Sequence, residues 1–163
     1  MLERVGSRQE QVEVRGIRLA DLARVREIER EAFGERCYNT STFLSFATRG
    51  RGGSFVAVRA GAIVGYVLTR RSSPLALRKR GGITSIAVDS QCRRQGVGAQ
   101  LLSRAMEHLR RAGVVEMDLE VNRDNHRAIA FYQRAGFRAD RMLPNYYGRG
   151  EHGLRMVFDV ERR

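Results

Sequence analysis

The spacing of apolar positions changes several times along the chain, and each change predicts an element. "QVEVRGIRL" reads as a short strand. "ADLARVREIEREAF" then takes helical spacing, with Leu22, Val25, Ile28, Glu29 and Ala32 in register and the apolar members forming one stripe. A weaker helix is predicted from Thr40 to Thr48. "GGSFVAVRAGAIVGYVLTRR" reads as a hairpin, with strands Phe55 to Arg59 and Ile63 to Thr69 around a turn at Ala60-Gly61. "RSSPLALRKRGG" is polar and basic and reads as a loop.

β-branched residues predict a strand at Ile83 to Val88, and Val97, Leu101, Ala105 and Leu109 predict a helix from Val97 to Arg111 that Gly113 closes. "VEMDLEV" alternates strictly: Val115, Met117, Leu119 and Val121 point one way, Glu116, Asp118 and Glu120 the other. His126 to Arg134 is helical and ends at Ala135-Gly136. Strands near Phe137 to Leu143 and Leu154 to Val160 then flank a loop, "PNYYGRGEHG". The pattern is one continuous α/β succession without repeat or linker, predicting a tail over residues 1–10 and one domain over 11–163.

Composition narrows this picture modestly. No apolar run approaches the roughly 18 to 20 residues of a membrane span, and "MLERVGSRQEQVEV" lacks a signal peptide's apolar centre, so a cytoplasmic protein is expected. Cys37 and Cys92 match no ligand spacing and read as ordinary thiols; no metal site is indicated. A structural or solvent role is expected for His126, for His152 in its loop and for His108 on the exposed flank of its helix. The net charge of +12 would attract phosphates, nucleic acid or an acidic surface such as a ribosome. The excess is spread along the chain and is almost all arginine, Lys79 being the only lysine. A specific nucleic-acid footprint should instead form a patch with stacking aromatics.

The stretch "RRQGVG", Arg93 to Gly98, turns from strand into helix and can hold an anion. A Walker loop needs a Gly-Lys pair, which is absent, and a dinucleotide fingerprint needs a third glycine. What stands is R-x-x-G-x-G: Gly96 and Gly98 open a helix whose first amides suit a pyrophosphate, and arginine supplies bidentate donors. Taken alone, the hexapeptide reads equally as a glycine-containing loop with incidental arginines.

"IAVDSQCRRQGVGAQLL" followed by "LEVNRDNHRAIAFYQRAGF" resembles the signature of the GNAT family of N-acetyltransferases, and within it the RimI-like protein N-alpha-acetyltransferases. The likeness spans about Ile17 to Val160. It implies an α/β fold in which a twisted mixed sheet of about six to seven strands, two of them parallel and splayed, is flanked by helices. It implies acetyl-CoA as cosubstrate: Ile86, Ala87 and Val88 along the pantetheine arm, Arg93, Arg94, Gln95, Gly96, Val97, Gly98 and Ala99 around the pyrophosphate, and Asn125, Ala128 and Tyr132 closing the cleft.

The resemblance also assigns roles. Glu120 matches the glutamate that serves as general base, acting through an ordered water, although the alternation of Glu116, Asp118 and Glu120 equally describes a solvated strand face. Tyr132 matches the phenol that protonates the departing thiolate, against the alternative of a core aromatic beside Phe131. The Val88 amide would meet the developing oxyanion. Some relatives place an aromatic at the start of the preceding strand, where this chain has Gly81-Gly82. Tyr146 and Tyr147 match paired tyrosines that cover an acceptor peptide, with Tyr38, in the opposite wall Phe33 to Tyr38, lining it or packing the loop. The subgroup continues "GEDA" where this chain has Glu151, His152 and Gly153, which puts acceptor choice in question.

The expectation is therefore acetyl transfer to a protein or peptide N-terminus, with ribosome association left open. An acetyltransferase for small amines or lysine side chains is the neighbouring alternative; a non-catalytic CoA-binding or ribosome-associated module is the alternative from another class.

Overall fold

The computed structural model describes residues 11–48, 53–73 and 75–161. The tail expected over 1–10 lies outside them. In chain order the elements are β1 (Glu13–Gly16), α1 (Leu22–Phe33), α2 (Thr40–Thr48), β2 (Phe55–Arg59), β3 (Ala62–Arg71), β4 (Arg80–Val88), α3 (Val97–Arg111), β5 (Glu116–Asn122), α4 (His126–Arg134), β6 (Arg138–Gly148) and β7 (Glu151–Asp159). The strands form one seven-stranded sheet in the order β1-β2-β3-β4-β5-β7-β6. Among the described residues, no helix is long and apolar enough to cross a membrane.

The helical stripes bury as their spacing predicts. Val97, Leu101, Leu102, Ala105, Met106 and Leu109 of α3 are all buried against one face of the sheet with Met117, Leu119 and Val121 of β5. Removing each of the Val, Leu and Met side chains from water stabilises the fold by about 1.5–3 kcal/mol. On the other face, Leu22, Val25 and Ile28 of α1 pack with Phe43 of α2 and Tyr66, Leu68 and Ala87 of the sheet.

β4 and β5 are parallel and pair only at one end, with Arg80 opposite Glu116, Gly81 opposite Met117 and Gly82 opposite Asp118. Beyond these positions the strands part and leave a wedge. A register shift opposite Leu68 and Thr69 makes Thr84 the extra residue of a bulge in β4. The bulge reverses the alternation, so Ile83, Ile86 and Val88 all lie on the α3 face while Ser85 reaches α1.

Three sequence expectations change. Gly81 and Gly82 belong to β4, not to the preceding loop. The chain needs glycine there because the strands pinch together: a Cβ at Gly82 would sit 2.3 Å from the Asp118 carbonyl oxygen and 2.9 Å from Arg70 Cζ. The loop expected over "PNYYGRGEHG" is mostly strand, β6 running to Gly148 and β7 starting at Glu151, although the pairing of the two is interrupted between Leu143 and Gly148. His152 is therefore in β7, where its Nδ1 accepts from the Asn145 amide at 3.1 Å. His108 is half-buried rather than exposed, edge-on to Phe55 at 5.7 Å between centroids.

Candidate active site

Two cavities meet in the wedge. One, of about 750 Å³, is walled by Glu29, Arg36, Tyr38, Thr84, Glu120, Tyr146 and Tyr147, among others. The other, of about 680 Å³, runs past Val88, Cys92, Arg93, Arg94, Gly96, Gly98 and Ala99. Ala32, Phe33, Ile86, Asn125, Ala128 and Tyr132 line both, so a long ligand in the second cavity would present its end at the floor of the first.

The second cavity opens on the start of α3. Gly96 caps that helix in the left-handed region at φ 81°, and Arg94 also takes positive φ at 60°. A Cβ on Gly98 would meet nothing nearer than Phe131 at 3.6 Å, so no contact within the protein requires glycine there. Unpaired amides at a helix start favour anionic oxygen, and a side chain at Gly98 would project towards Phe131 and Val88 on the wall of the cleft. Arg93 donates from Nε to the Val88 carbonyl at 3.0 Å, while the Asp89 amide donates back to Val64 of β3 at 2.9 Å. By strand alternation the Val88 amide faces the wedge.

Gln95 and Val97 stand apart from this lining. Gln95 is held by Arg59 and donates to the Gln91 carbonyl at 3.1 Å, and Val97 is buried in the core. Cys92, Arg127, Phe131 and Arg134 also line the cleft, although nothing in their spacing marks them. Asn125 caps α4, its Oδ1 accepting from the Ala128 amide at 3.1 Å, which leaves its NH2 group for the cleft.

Tyr132 is buried edge-on to Phe131 and Phe137, at 5.2 and 6.0 Å between centroids, and still faces both cavities. Burial pushes its phenol up to about 12, so it is a protonated donor throughout the neutral range. It packs in the core and reaches the site at once.

Glu116, Asp118 and Glu120 are a network rather than a solvated face. Arg155 holds Asp118 at 2.8 Å, Asp140 at 2.6 Å and Glu116 at 3.4 Å. Arg70 holds Asp118 at 2.5 Å and Glu120 at 3.2 Å, its guanidinium occupying the space that the missing side chain of Gly82 leaves open. Glu120 alone of these three acids lines the cavity.

The outer wall comes from two distant segments. Tyr146 and Tyr147 pack edge-on with centroids 4.9 Å apart, and burial raises both phenols. Opposite them Tyr38 lies in T-shaped contact with Phe43, and Arg36 reaches Glu151 at 2.6 Å, joining the two walls. Tyr38 therefore both packs its loop and lines the cavity.

One wall residue reads in the sequence only as a helix position. Glu29 is 1 % exposed, accepts from the Tyr38 amide and from Ser85 Oγ, each at 3.1 Å, and is pushed up by burial, against which those two hydrogen bonds act. A charged residue inside an apolar helical stripe was the available signal.

Comparison with known proteins bears on this geometry. A model of the acetyltransferase (GNAT) family matches residues 22–137. An uncharacterized N-acetyltransferase of Methanocaldococcus jannaschii is 37% identical over 138 residues, covering 84% of this chain and 85% of its own. An N-alpha-acetyltransferase of Sulfurisphaera tokodaii is 33% identical over 153 residues, covering 88% and 90%. The crystal structure of the ribosomal-protein-S18-alanine N-acetyltransferase from Escherichia coli superposes with a TM-score of 0.80 at 25% identity, covering 94% of this chain and 96% of that one.

Proposed function

The chain belongs to the GNAT acetyltransferase family, and we propose that it moves acetyl from acetyl-CoA to the N-terminal α-amino group of a protein or peptide by direct attack in a ternary complex. The observation that carries this reading is the meeting of two cavities at Tyr132, one opening on a helix start suited to phosphate and the other walled by Glu120 and paired tyrosines.

The residues fit acetyl-CoA. The amides from Gly96 to Ala99, with Arg93 and Arg94 beside them, would hold the pyrophosphate, and the free β4 edge at Ile86 to Val88 would hold the pantetheine amides. The thioester supplies the activated acyl group. Glu120 takes the proton of the acceptor amine through a water, with Arg70 fixing the carboxylate. The Val88 amide donates to the oxygen on which charge develops, and Tyr132 gives its proton to the departing sulfur. The amine nitrogen gains the acyl carbon as the carbon–sulfur bond breaks, and free CoA leaves.

An α-amine has a pKa of about 7.7–8.0 against about 10.4 for lysine, so a modest base suffices for the former. Tyr146 and Tyr147 narrow the mouth over an extended backbone, which supports a peptide end over a bulkier acceptor. A net charge of +12 supports encounter with nascent chains at the polyanionic ribosome surface, in the cytoplasm.

Mass spectrometry of a peptide library after incubation with acetyl-CoA, with free and blocked N-termini, tests the reading. Acetyl on free α-amines is the expected result; acetylation of blocked peptides on lysine overturns it.

A further inference from the structure

We propose that Glu29 is a positioning residue whose buried carboxylate gives the acceptor subsite its preference for a positively charged amine. This deepens the acetyl-transfer reading and rests on it. Glu29 sits in the wall that also holds Glu120, but its surroundings differ. Glu120 is paired with Arg70, and Asp124 with Arg123. Glu29 has no cation within ion-pair distance among the described residues; its partners are the neutral Tyr38 amide and the Ser85 hydroxyl.

The hydrogen bonds suit an anion. Tyr66 Oη lies 3.0 Å from Ser85 Oγ, which lies 3.1 Å from Glu29 Oε2, so donors run in one direction from phenol through hydroxyl to carboxylate. With the Tyr38 amide on Oε1, both oxygens accept and neither needs to donate. Thr84 Oγ1, in the same wall, is buried without a hydrogen-bond partner among the described residues, a further polar group turned to a site that supplies its partner on binding.

A buried anion lacking a counter-ion costs free energy that an arriving cation offsets. At 1 % exposure, Glu29 is not touched by the acceptor; it acts through its field, which is weakly screened in the wall, and through Tyr38, whose amide it fixes. The charge it selects is the ammonium form of the acceptor, from which Glu120 removes the proton.

The test uses calorimetric titration of the protein in excess CoA with a tetrapeptide bearing a free α-amine, and with its twin carrying an α-hydroxyl instead. Wild type is expected to bind the amine about tenfold tighter, a difference of ~1.4 kcal/mol. Glu29→Gln keeps the shape, its amide oxygen able to accept from the Tyr38 amide while its NH2 group donates to Ser85 Oγ, and should reduce the preference to within about twofold with CoA affinity unchanged. Ser85→Ala, which leaves α1 intact and removes the donor that supports the charge, should reduce it as well. Wild-type preference retained in either folded variant, or no preference in wild type, overturns the proposal. If the preference is present and follows Glu29 while no α-amine is acetylated, the N-terminal transfer reading fails and the role of Glu29 stands.

Discussion

Arg70 and Glu120 form an ion pair 3.2 Å apart in the wall of the larger cavity, and the same guanidinium holds Asp118 at 2.5 Å. The pair exists because position 82 carries no side chain: Arg70 Cζ lies 2.9 Å from where a Cβ would be. Here an arginine fills the space and orients a carboxylate, which supports Glu120 as the group that serves the acceptor amine.

Glu120→Gln removes the proposed proton acceptor and keeps the shape of the wall. We expect kcat to fall by about 100-fold or more while acetyl-CoA affinity changes by less than about twofold, since Glu120 lines the acceptor cavity and not the cofactor cleft. Steady-state kinetics with separate cofactor titration reads both, and an unchanged kcat removes Glu120 from the mechanism.

Tyr132→Phe keeps the ring contacts with Phe131 and Phe137 and deletes the donor. The expected result is a drop in kcat of about 100-fold with little change in thermal stability or acetyl-CoA binding. Because burial raises the phenol to about 12, wild-type activity should lose nothing to deprotonation of this group until the pH nears that value. An alkaline loss near pH 10 that vanishes in the Phe variant would contradict the assignment.

Gly98→Val tests the cofactor cleft. A Cβ there would meet nothing nearer than Phe131 at 3.6 Å and Val88 at 3.7 Å, so the first carbon of the side chain clashes with nothing in the protein. The variant should fold normally and bind acetyl-CoA about tenfold or more weakly, because the branch occupies space beside the helix amides. Full affinity by calorimetry would place the pyrophosphate elsewhere.

Glu29 also makes stability depend on pH. Burial raises its pKa above the usual 4.5, so folding favours the protonated form. That contribution is complete at pH values below 4.5 and is lost as the pH rises through the raised folded value. Glu29→Gln should therefore be more stable than wild type at neutral pH, with the two melting temperatures converging on acidification. A gap that widens towards low pH would show that the ionised form is the one favoured by folding.

The elements that follow local rules were legible in the sequence. α2, α3 and α4 fall at the bounds read from the sequence, α3 and α4 with the glycines that follow them, and β2 ends at the Ala60-Gly61 turn, where both residues take positive φ. The glycine turn and Tyr132 were legible as parts of a motif, and both line the cleft. What stayed hidden depends on partners far along the chain. Gly81 and Gly82 have poor strand propensity and read as loop, yet they are strand because β5 and Arg70 close on them. "PNYYGRGEHG" reads as a loop, but pairing with β7 resumes at Gly148.

The sequence by itself determined the order of helices and strands, the glycine-opened α3 and the residues able to move a proton, because periodicity, caps and residue chemistry act within a few positions. Only the tertiary structure decided which of those residues share a cavity. Glu29 receives its hydrogen bonds from residues 9 and 56 positions away, and Glu120 receives Arg70 from 50 positions away. Such contacts arise where β4 and β5 part and the bulge at Thr84 re-aims the strand, a geometry set by the packing of the whole sheet and recorded in no short stretch of the chain.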